Sequence, residues 1–273
     1  MIAAVIAAFV CTVAQAKTGE ESIVVMSYNI RMGVASDGTN SWQFRYPATA
    51  MMLEDQKPDV FGLQEAYDFQ VKFILENNKE YKAVGVGRED GKSKGEHMSV
   101  FYSKKKFSLV KWGTFWLSDT PDRPSKGWDA ACMRTATWTL LKSKETGRMF
   151  YFVNTHLDHV GKKAQEEGLA LIVAKISCMN TKGLPVVLTG DFNIEPDNPI
   201  LSDLNTMMSS ARDTAEKTDR LNTFNGWGRS SLLIDYIYYK GFSSCPEFQT
   251  VQKPYDNRAF ISDHFPVRAV LTF

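Results

Sequence analysis

The hydrophobic residues of the chain follow two patterns, which predict the strands and helices of a mixed protein. Short runs rich in β-branched and aromatic residues are typical of strands: SIVVMSYNI, DVFGLQE, HMSVFYS, FSLVKWGTFWL, ATWTLLKS, MFYFVNTHL, LPVVLTGD, LIDYIYY and FPVRAVLTF. Apolar residues recur at helical spacing in SWQFRYPATAMMLEDQ, AYDFQVKFILENN and KKAQEEGLALIVAKISCMN. Because the strands outnumber the helices, we expect two packed sheets that are covered by helices.

Polar residues collect at the ends of these predicted strands: Asn29, Glu65, His156, Asp191, Asn193, Asp235, Asp263 and His264. A single acidic residue after a strand is usually a turn or capping residue. Here the same feature recurs at one strand end after another. Strand ends in layered folds are where sites gather, because the sheet holds the side chains while loops shape a cavity. The sequence therefore predicts one active site at an edge of the sheets.

Composition and charge restrict what such a site binds. The chain has 273 residues, of which 44% are hydrophobic and 23% charged, so it can bury a full core. It contains no internal repeat, no low-complexity tract and no linker, which predicts a single domain over residues 17–273. The formal net charge is +1, so a phosphate-bearing substrate must be held by local groups rather than by an overall basic field.

The N-terminal segment has the pattern of an export signal. An apolar run from Ile2 to Val13 is followed by Ala14-Gln15-Ala16, a small-x-small cleavage pattern, and the run is too short for a stable membrane anchor. We interpret residues 1–16 as a signal peptide, which predicts an exported protein, periplasmic or secreted. No Lys or Arg precedes Lys17, so a buried N-terminal helix is the alternative interpretation.

Six motifs, in this order along the chain, resemble the endonuclease/exonuclease/phosphatase superfamily: SYNI, LQE, NTHLDH, TGDFN, IDYIYY and SDHFPV. The resemblance extends from Ile23 to Phe273 and suggests an exported, bacterial-type member. It implies an α+β fold of the DNase I type, a four-layer αββα sandwich of two packed mixed β-sheets flanked by helices. It also implies a site at one edge of the sheets and a divalent metal, usually Mg²⁺.

The candidate metal ligands are oxygen atoms. Glu65 offers a carboxylate, which suits Mg²⁺, Mn²⁺ or Ca²⁺ better than Zn²⁺. The resemblance places Asn29 beside the metal, and Asp263 is available as a further ligand. The chain has four His residues and no H-E-x-x-H pattern, and its cysteines show no C-x-x-C spacing, which argues against a zinc site.

The remaining polar residues suit the hydrolysis of a phosphate ester, which needs an activated water and stabilised charge on the phosphoryl group. Asp191 and Asn193 share a face at i, i+2 if the strand continues. One can take a proton from water while the other donates to a phosphoryl oxygen, and the resemblance assigns the roles in that order. Asp235 can fix His264 and raise its basicity, so that a charged His264 faces the phosphate. The resemblance implies that His156 lies near the leaving-group oxygen.

The residues that select the substrate are harder to identify. Trp128 and Trp227 lie in loops and are candidates for stacking, and Arg134 is a candidate phosphate ligand; Trp128 and Arg134 fit a core or an ion pair equally well. The segment 88–97 is interpreted as a mobile solvated loop or as a lip over the site. We expect a monomer without an obligate protein partner that acts on nucleic acid, a phospholipid head group, or a sugar or inositol phosphate.

Two other functions compete with a phosphoesterase. The first is an inactive protein of the same fold that binds a partner, although every expected polar position is filled. The second is a secreted glycoside hydrolase that uses the two carboxylates of Asp191 and Glu195. Such an enzyme would not need Asn193 or His264, and its activity would survive chelation of divalent metals.

Overall fold

The computed structural model describes residues 21–273, in which two six-stranded sheets pack face to face. The predicted signal peptide, residues 1–16, lies outside these residues. The first sheet contains β1 (Ser22–Asn29), β2 (Val60–Gln64), β3 (Tyr81–Val84), β4 (Val100–Ser103), β11 (Ser244–Thr250) and β12 (Val267–Thr272). The second sheet contains β5 (Phe107–Trp116), β6 (Thr135–Ser143), β7 (Met149–His156), β8 (Val186–Asp191), β9 (Ser209–Ser210) and β10 (Asp235–Lys240).

Both sheets are mixed. The first has the order β11-β12-β1-β2-β4-β3, with β1 and β2 parallel and the other pairs antiparallel. The second has the order β5-β6-β7-β8-β10-β9, with β7 and β8 as its parallel pair. The helices are α1 (Trp42–Gln56), α2 (Asp68–Asn77), α3 (Lys162–Met179), α4 (Ser202–Met207) and α5 (Ala211–Thr214), with short 3₁₀ turns at Gly38–Asn40 and Pro199–Leu201. None of the helices within residues 21–273 is long and apolar enough to cross a membrane.

Three apolar clusters produce the predicted four-layer αββα sandwich. One cluster joins the inner faces of the two sheets, with Val25 and Val60 from the first and Phe152 and Val187 from the second. A second cluster packs α1 and α2 on the outer face of the first sheet, and a third packs α3 and α4 on the outer face of the second. The predicted fold class is therefore confirmed.

The alternation of side chains along the strands brings polar residues into the space between the sheets. Along β1, Ile23 and Val25 join the inter-sheet cluster while Met26 and Tyr28 face the helices. Because side chains alternate with a period of two, Asn29 lies on the same face as Ile23 and Val25. The same reasoning applies to the inward-facing ends of the neighbouring strands: His156 on β7, Asp191 on β8 and Asp235 on β10.

A buried polar bridge joins the two sheets directly beneath this edge. The Gln64 side-chain amide donates to Asn154 Oδ1 at 2.6 Å and to Ser27 Oγ at 3.1 Å, and Asn154 Nδ2 donates to the carbonyl of Leu63 at 2.7 Å. A β-carbon on Gly62 would lie 2.3 Å from Asn154 Cγ, so only glycine leaves room for this bridge. The sequence does not reveal this bridge, because Gln64 and Asn154 each look like an ordinary polar residue of a strand.

Most predicted elements are present, and those that were missed are short or lie at sheet edges. The strand β3 has four residues and β9 has two. The edge strand β11 contains Pro246 and a bulge between Ser244 and Glu247, and proline is tolerated in strands mainly at such edges. The helices α4 and α5 have only six and four residues.

Removing the Asn154 amide tests whether this bridge stabilises the sandwich. We expect Asn154→Ala to lower the free energy of unfolding by about 1–3 kcal/mol, because the buried Gln64 amide and Leu63 carbonyl each lose a hydrogen bond to Asn154. Asn77→Ala is a matched control, since Asn77 is exposed on α2 and its replacement should cost less than about 0.5 kcal/mol. Urea unfolding of the two variants and the parent measures both values; equal losses would contradict the assigned role of the bridge.

Candidate active site

A cleft opens at the edge of the sheets where β1, β2, β7 and β8 end and β10 begins. Its volume is about 370 Å³, within the range of small-molecule sites. Most of the predicted site residues line it: Glu65, Arg134, His156, Asp191, Asn193, Asp263 and His264. Asn29 and Asp235 lie behind this lining, where they bond Asp191 and His264.

Asp191 is the centre of the hydrogen-bond network. Its Oδ2 accepts from Asn29 Nδ2 at 3.0 Å, and its Oδ1 accepts from the backbone N–H of Asn193 at 2.9 Å. The same Asn29 amide donates to Glu65 Oε1 at 3.1 Å. Burial raises the pKa of Asp191 to about 7; the Asp235 carboxylate adds to this rise and His264 opposes it. Asp191 is therefore held at the point where it can exchange a proton near neutral pH.

Asp235 and His264 form a buried pair beside Asp191. His264 Nδ1 lies 2.9 Å from Asp235 Oδ2, and His264 Nε2 lies 3.6 Å from Asp191 Oδ2. Burial alone would lower the pKa of His264, but the Asp235 and Asp191 carboxylates outweigh it and raise the pKa to about 10. His264 is therefore a fixed positive charge at neutral pH, which suits the binding of an anionic oxygen.

His156 has the opposite character. Its Nε2 lies 3.0 Å from Asn193 Nδ2 and 3.4 Å from Asp191 Oδ2. Burial lowers the pKa of His156 well below its ordinary value, and the charges of Arg134 and Arg88 lower it further. The cleft thus combines one neutral and one cationic imidazole, two different partners for a reacting phosphate.

Glu65 and Asn193 are among the site residues that adopt the left-handed backbone region. Glu65 has φ of 60° and Asn193 has φ of 52°; this region is uncommon outside glycine, although asparagine tolerates it better than glutamate. The side chains hold these conformations. Glu65 Oε2 accepts the backbone N–H of Met32 at 3.0 Å, and Asn193 Nδ2 donates to the carbonyl of Leu157 at 3.0 Å. Such strain at a strand end is typical of functional positions.

The charges and donor atoms of the cleft fit a divalent cation. Within residues 21–273, Arg31 and His264 are the cationic side chains that lie within 4 Å of the carboxylates of Glu65, Asp191, Asp235 and Asp263. Burial raises the pKa of Asp263, and the nearby Glu65 carboxylate adds to this rise. Asp191, Asp235 and His264 also lie close enough together to hold an ion, but a protonated His264 cannot be a ligand. The oxygen atoms around Glu65 and Asp263 are therefore the better candidates.

The geometry agrees with comparisons to known proteins. A sequence profile described as the Endonuclease/Exonuclease/phosphatase family matches residues 26–264. The chain belongs to this family. Its members are metal-dependent hydrolases that act on phosphate esters. The membership sets aside the glycoside hydrolase hypothesis, and its second carboxylate, Glu195, is exposed and does not line the cleft.

Several known proteins resemble the chain over most of its length. The mannosyl-6-phosphatase of Bacteroides thetaiotaomicron is 37% identical, with a TM-score of 0.88 over 92% of this chain and 100% of that one. Another endonuclease/exonuclease/phosphatase family protein of that organism is also 37% identical, with a TM-score of 0.86 over 93% and 99% of the two chains. An uncharacterised protein of Acanthamoeba polyphaga mimivirus is 24% identical over 83% of this chain and 90% of that protein.

The candidate substrate residues occupy different places in this family fold. Arg134 lies in the cleft wall, where Nε is 3.2 Å from Asp158 Oδ2 and Nη2 is 2.9 Å from His159 Nδ1. Trp128 packs against the apolar cluster between α3 and the second sheet. Trp227 lies 5.8 Å from the guanidinium of the buried Arg45. Neither tryptophan lines the cleft, and of the two only Trp128 belongs to an apolar cluster of residues 21–273.

Three charged residues of the cleft were not identified from the sequence: Arg31, Arg88 and Glu96. Arg31 makes two 3.0 Å bonds to Asp37 and lies 3.6 Å from Asp263 and 3.9 Å from Glu65. Its position directly after the SYNI motif was an available signal. Arg88 and Glu96 belong to the segment 88–97, which is hydrogen-bonded and forms a lip over the cleft rather than a purely solvated loop.

Asp158 organises the turn that follows His156. Its Oδ1 accepts the backbone N–H groups of Ala131, Val160 and Gly161, and its Oδ2 faces Arg134. Burial would raise the pKa of Asp158, but these backbone donors and the guanidinium outweigh it and hold the pKa well below its ordinary value.

This lowered pKa predicts a pH-dependent contribution to stability. A carboxyl group with a depressed folded-state pKa stabilises the protein above its unfolded pKa, near 4, and the contribution is lost as the pH falls through the folded value. Asp158→Asn should therefore cost about 3 kcal/mol at pH 7 and about 1 kcal/mol less at pH 3. Asp122→Asn is the control, since Asp122 is exposed. Urea unfolding at both pH values measures the effect; a loss that does not change with pH would contradict it.

Proposed function

We propose that the protein is a phosphoesterase that depends on a divalent metal, with Mg²⁺ as the first candidate and Mn²⁺ or Ca²⁺ as substitutes. The observation that carries this proposal is the arrangement of Asp191 between the two imidazoles. One is a cation fixed by Asp235, and the other is neutral. Membership of a family of phosphoester hydrolases supports the same reaction.

Each residue has a distinct role in the proposed reaction. Asp191 takes a proton from the attacking water, since its pKa lies close to neutrality. His264, which Asp235 keeps protonated, stabilises the negative charge that develops on the phosphoryl oxygens. Asn193 Nδ2 donates to the Leu157 carbonyl and lies 3.0 Å from His156 Nε2, so it positions neutral His156, to which we assign the leaving-group oxygen.

The metal would be held by oxygen ligands, with Glu65 and Asp263 as the principal candidates and Asn29 beside them. A bound divalent cation would supply positive charge to the non-bridging phosphate oxygens. Without a cation, Arg31 is the nearest positive group to both carboxylates. Because the ligands are carboxylates and an amide, the donor set favours a hard cation over zinc.

A small phosphate ester suits this cleft better than a nucleic acid. Its volume of about 370 Å³ suits a molecule of the size of a monosaccharide phosphate. The formal net charge of +1 provides little long-range attraction for a polyanion. The similar protein described as a mannosyl-6-phosphatase makes a sugar phosphate the first substrate to test. We also propose that the enzyme acts outside the cytoplasm, because of the signal pattern in residues 1–16.

Metal dependence is tested by chelation and by one ligand variant. Chelation should abolish hydrolysis, and Glu65→Gln should weaken Mg²⁺ binding by at least about tenfold, because one ligand charge is lost. Glu195→Gln is the control, since it makes the same change at an exposed position of the loop after β8. Calorimetric titration with Mg²⁺ measures binding by both variants, and a hydrolysis assay measures the effect of chelation. Full activity after exhaustive chelation would rule the proposal out.

Catalysis by Asp191 and His264 is tested by a double-mutant cycle. Asp191→Asn should lower kcat by roughly two to four orders of magnitude with little change in KM, since the proton transfer occurs in the transition state. His264→Ala should cause a comparable loss. Because both residues act in one step, the double variant should lose much less than the product of the single losses.

The exposed Asp197→Asn serves as the control for this cycle. Single and double losses that simply multiply would mean that Asp191 and His264 act independently, contrary to the proposed mechanism. A protein of wild-type sequence that hydrolyses no phosphate ester in the presence of Mg²⁺ would favour the inactive binding protein instead.

A further inference from the structure

The cleft contains a second group of charged side chains that the proposed chemistry does not use. Arg88 Nη1 lies 2.7 Å from Glu96 Oε2, and both residues line the same cleft as Asp191. The Glu96 side chain is only 5% exposed. Arg134 lines this part of the cleft as well, and its charge, like that of Arg88, acts on His156. Arg88, Glu96 and Arg134 are called the polar wall below.

The polar wall presents both hydrogen-bond donors and an acceptor that have no protein partner. Within residues 21–273, the Oε1 atom of Glu96 makes no hydrogen bond, and neither do Nε and Nη2 of Arg88 or Nη1 of Arg134. None of these four atoms is sealed from solvent, so they face the open cleft, and a ligand that excludes water from them binds well only if it replaces the lost hydrogen bonds. A ligand that fills this cleft must therefore supply both a donor for Glu96 and acceptors for the guanidinium groups.

Hydroxyl groups meet this requirement, since each one donates and accepts. Neighbouring hydroxyls can donate to Glu96 Oε1 and accept from Arg88 together. A second phosphate would bring negative charge against the Glu96 carboxylate. Nucleobases are usually held by stacking on aromatic side chains, but among the described residues the cleft lining contains no Trp or Tyr, and its one Phe, Phe224, packs against His264 with ring centroids 4.8 Å apart.

The polar wall is fixed before any ligand arrives. The backbone N–H of Arg88 donates to the carbonyl of Glu96 at 3.0 Å, and the Trp116 indole donates to the carbonyl of Arg88 at 2.6 Å. Asp90 Oδ1 accepts the backbone N–H groups of Lys92 and Lys94, which closes the turn between Arg88 and Glu96. A preformed arrangement reduces the entropy lost on binding and makes the recognition selective.

We infer that Arg88 and Glu96 recognise adjacent hydroxyl groups on the alcohol part of the substrate, with Arg134 as a further donor. The substrate class is then a phosphate ester of a polyhydroxylated alcohol such as a sugar. This inference rests on the proposed function, because it concerns the leaving group of the same reaction. It identifies the Arg88–Glu96 pair as the specificity determinant.

The test compares two phosphate monoesters that differ in the leaving group. Mannose 6-phosphate carries adjacent hydroxyls, and 4-nitrophenyl phosphate carries none. With Mg²⁺ present, Glu96→Gln should raise KM for mannose 6-phosphate about tenfold to a hundredfold, with a much smaller change in kcat. Its loss of kcat/KM on 4-nitrophenyl phosphate should be at least about tenfold smaller.

Two further variants make the result specific. Arg88→Lys keeps the charge but removes the forked geometry, and it should show the same bias against the sugar ester. Glu247→Gln is the matched control. Glu247 lies on β11, outside the cleft lining, and it also pairs with an arginine, Arg268, at 3.0 Å. Thermal unfolding of each variant shows whether the fold is retained, and calorimetric binding of mannose 6-phosphate to the Mg²⁺-loaded protein provides a readout that does not depend on turnover.

The outcomes separate this inference from the proposed function. Equal losses on both esters would assign Arg88 and Glu96 to catalysis or folding and would overturn the inference. Hydrolysis of 4-nitrophenyl phosphate without hydrolysis or binding of a sugar phosphate would also overturn it, while the phosphoesterase proposal would stand. Binding of mannose 6-phosphate that Glu96→Gln weakens, without turnover of either ester, would support the polar wall and overturn the proposed function.

Discussion

The whole structure depends on the alternation of side chains along four strands that end at the same edge. The inward-facing positions of β1, β7, β8 and β10 carry aliphatic and aromatic residues in the middle of the sandwich and Asn29, His156, Asp191 and Asp235 at its rim. One pattern therefore builds both the core and the site. A shift of one residue in the pairing of any of these strands would move all of its side chains to the other face of the sheet. Its polar site residue and its core residues would then both point toward the helices.

The burial of so many ionisable groups is stable because several of the charges are paired. His264 has Asp235, Arg134 has Asp158 and Arg88 has Glu96, while burial raises the pKa of Asp191. Breaking one member of such a pair is far more costly than never forming it. Below the site, the Gln64–Asn154 bridge ties the sheets together through neutral amides, which carry no charge that must be balanced.

The positions of most polar residues of the cleft could be predicted from the sequence, because strand ends have a periodic signal on one side and a short motif on the other. The fold brings Asp191 and His264 together, with His264 Nε2 3.6 Å from Asp191 Oδ2. The loops were read less well, since their conformations depend on turns that have no period. Trp128 looked like a ligand-binding aromatic and is a packing residue, whereas Glu96, in a Gly-rich stretch, is buried in the cleft. Edge strands such as β11 were missed because their residues need only half of the usual pairing.

The bridging role of Asn29 has a consequence for how the molecule acquires its activity. Asn29 belongs to the first sheet and Asp191 to the second, and their hydrogen bond joins residues that are 162 positions apart. Neither sheet alone contains a complete site. Contacts of such long sequence separation form late, after the loops between them have been closed. Recovery of enzymatic turnover during refolding would thus report the docking of the two sheets, and a chain with only one of them folded would be catalytically silent.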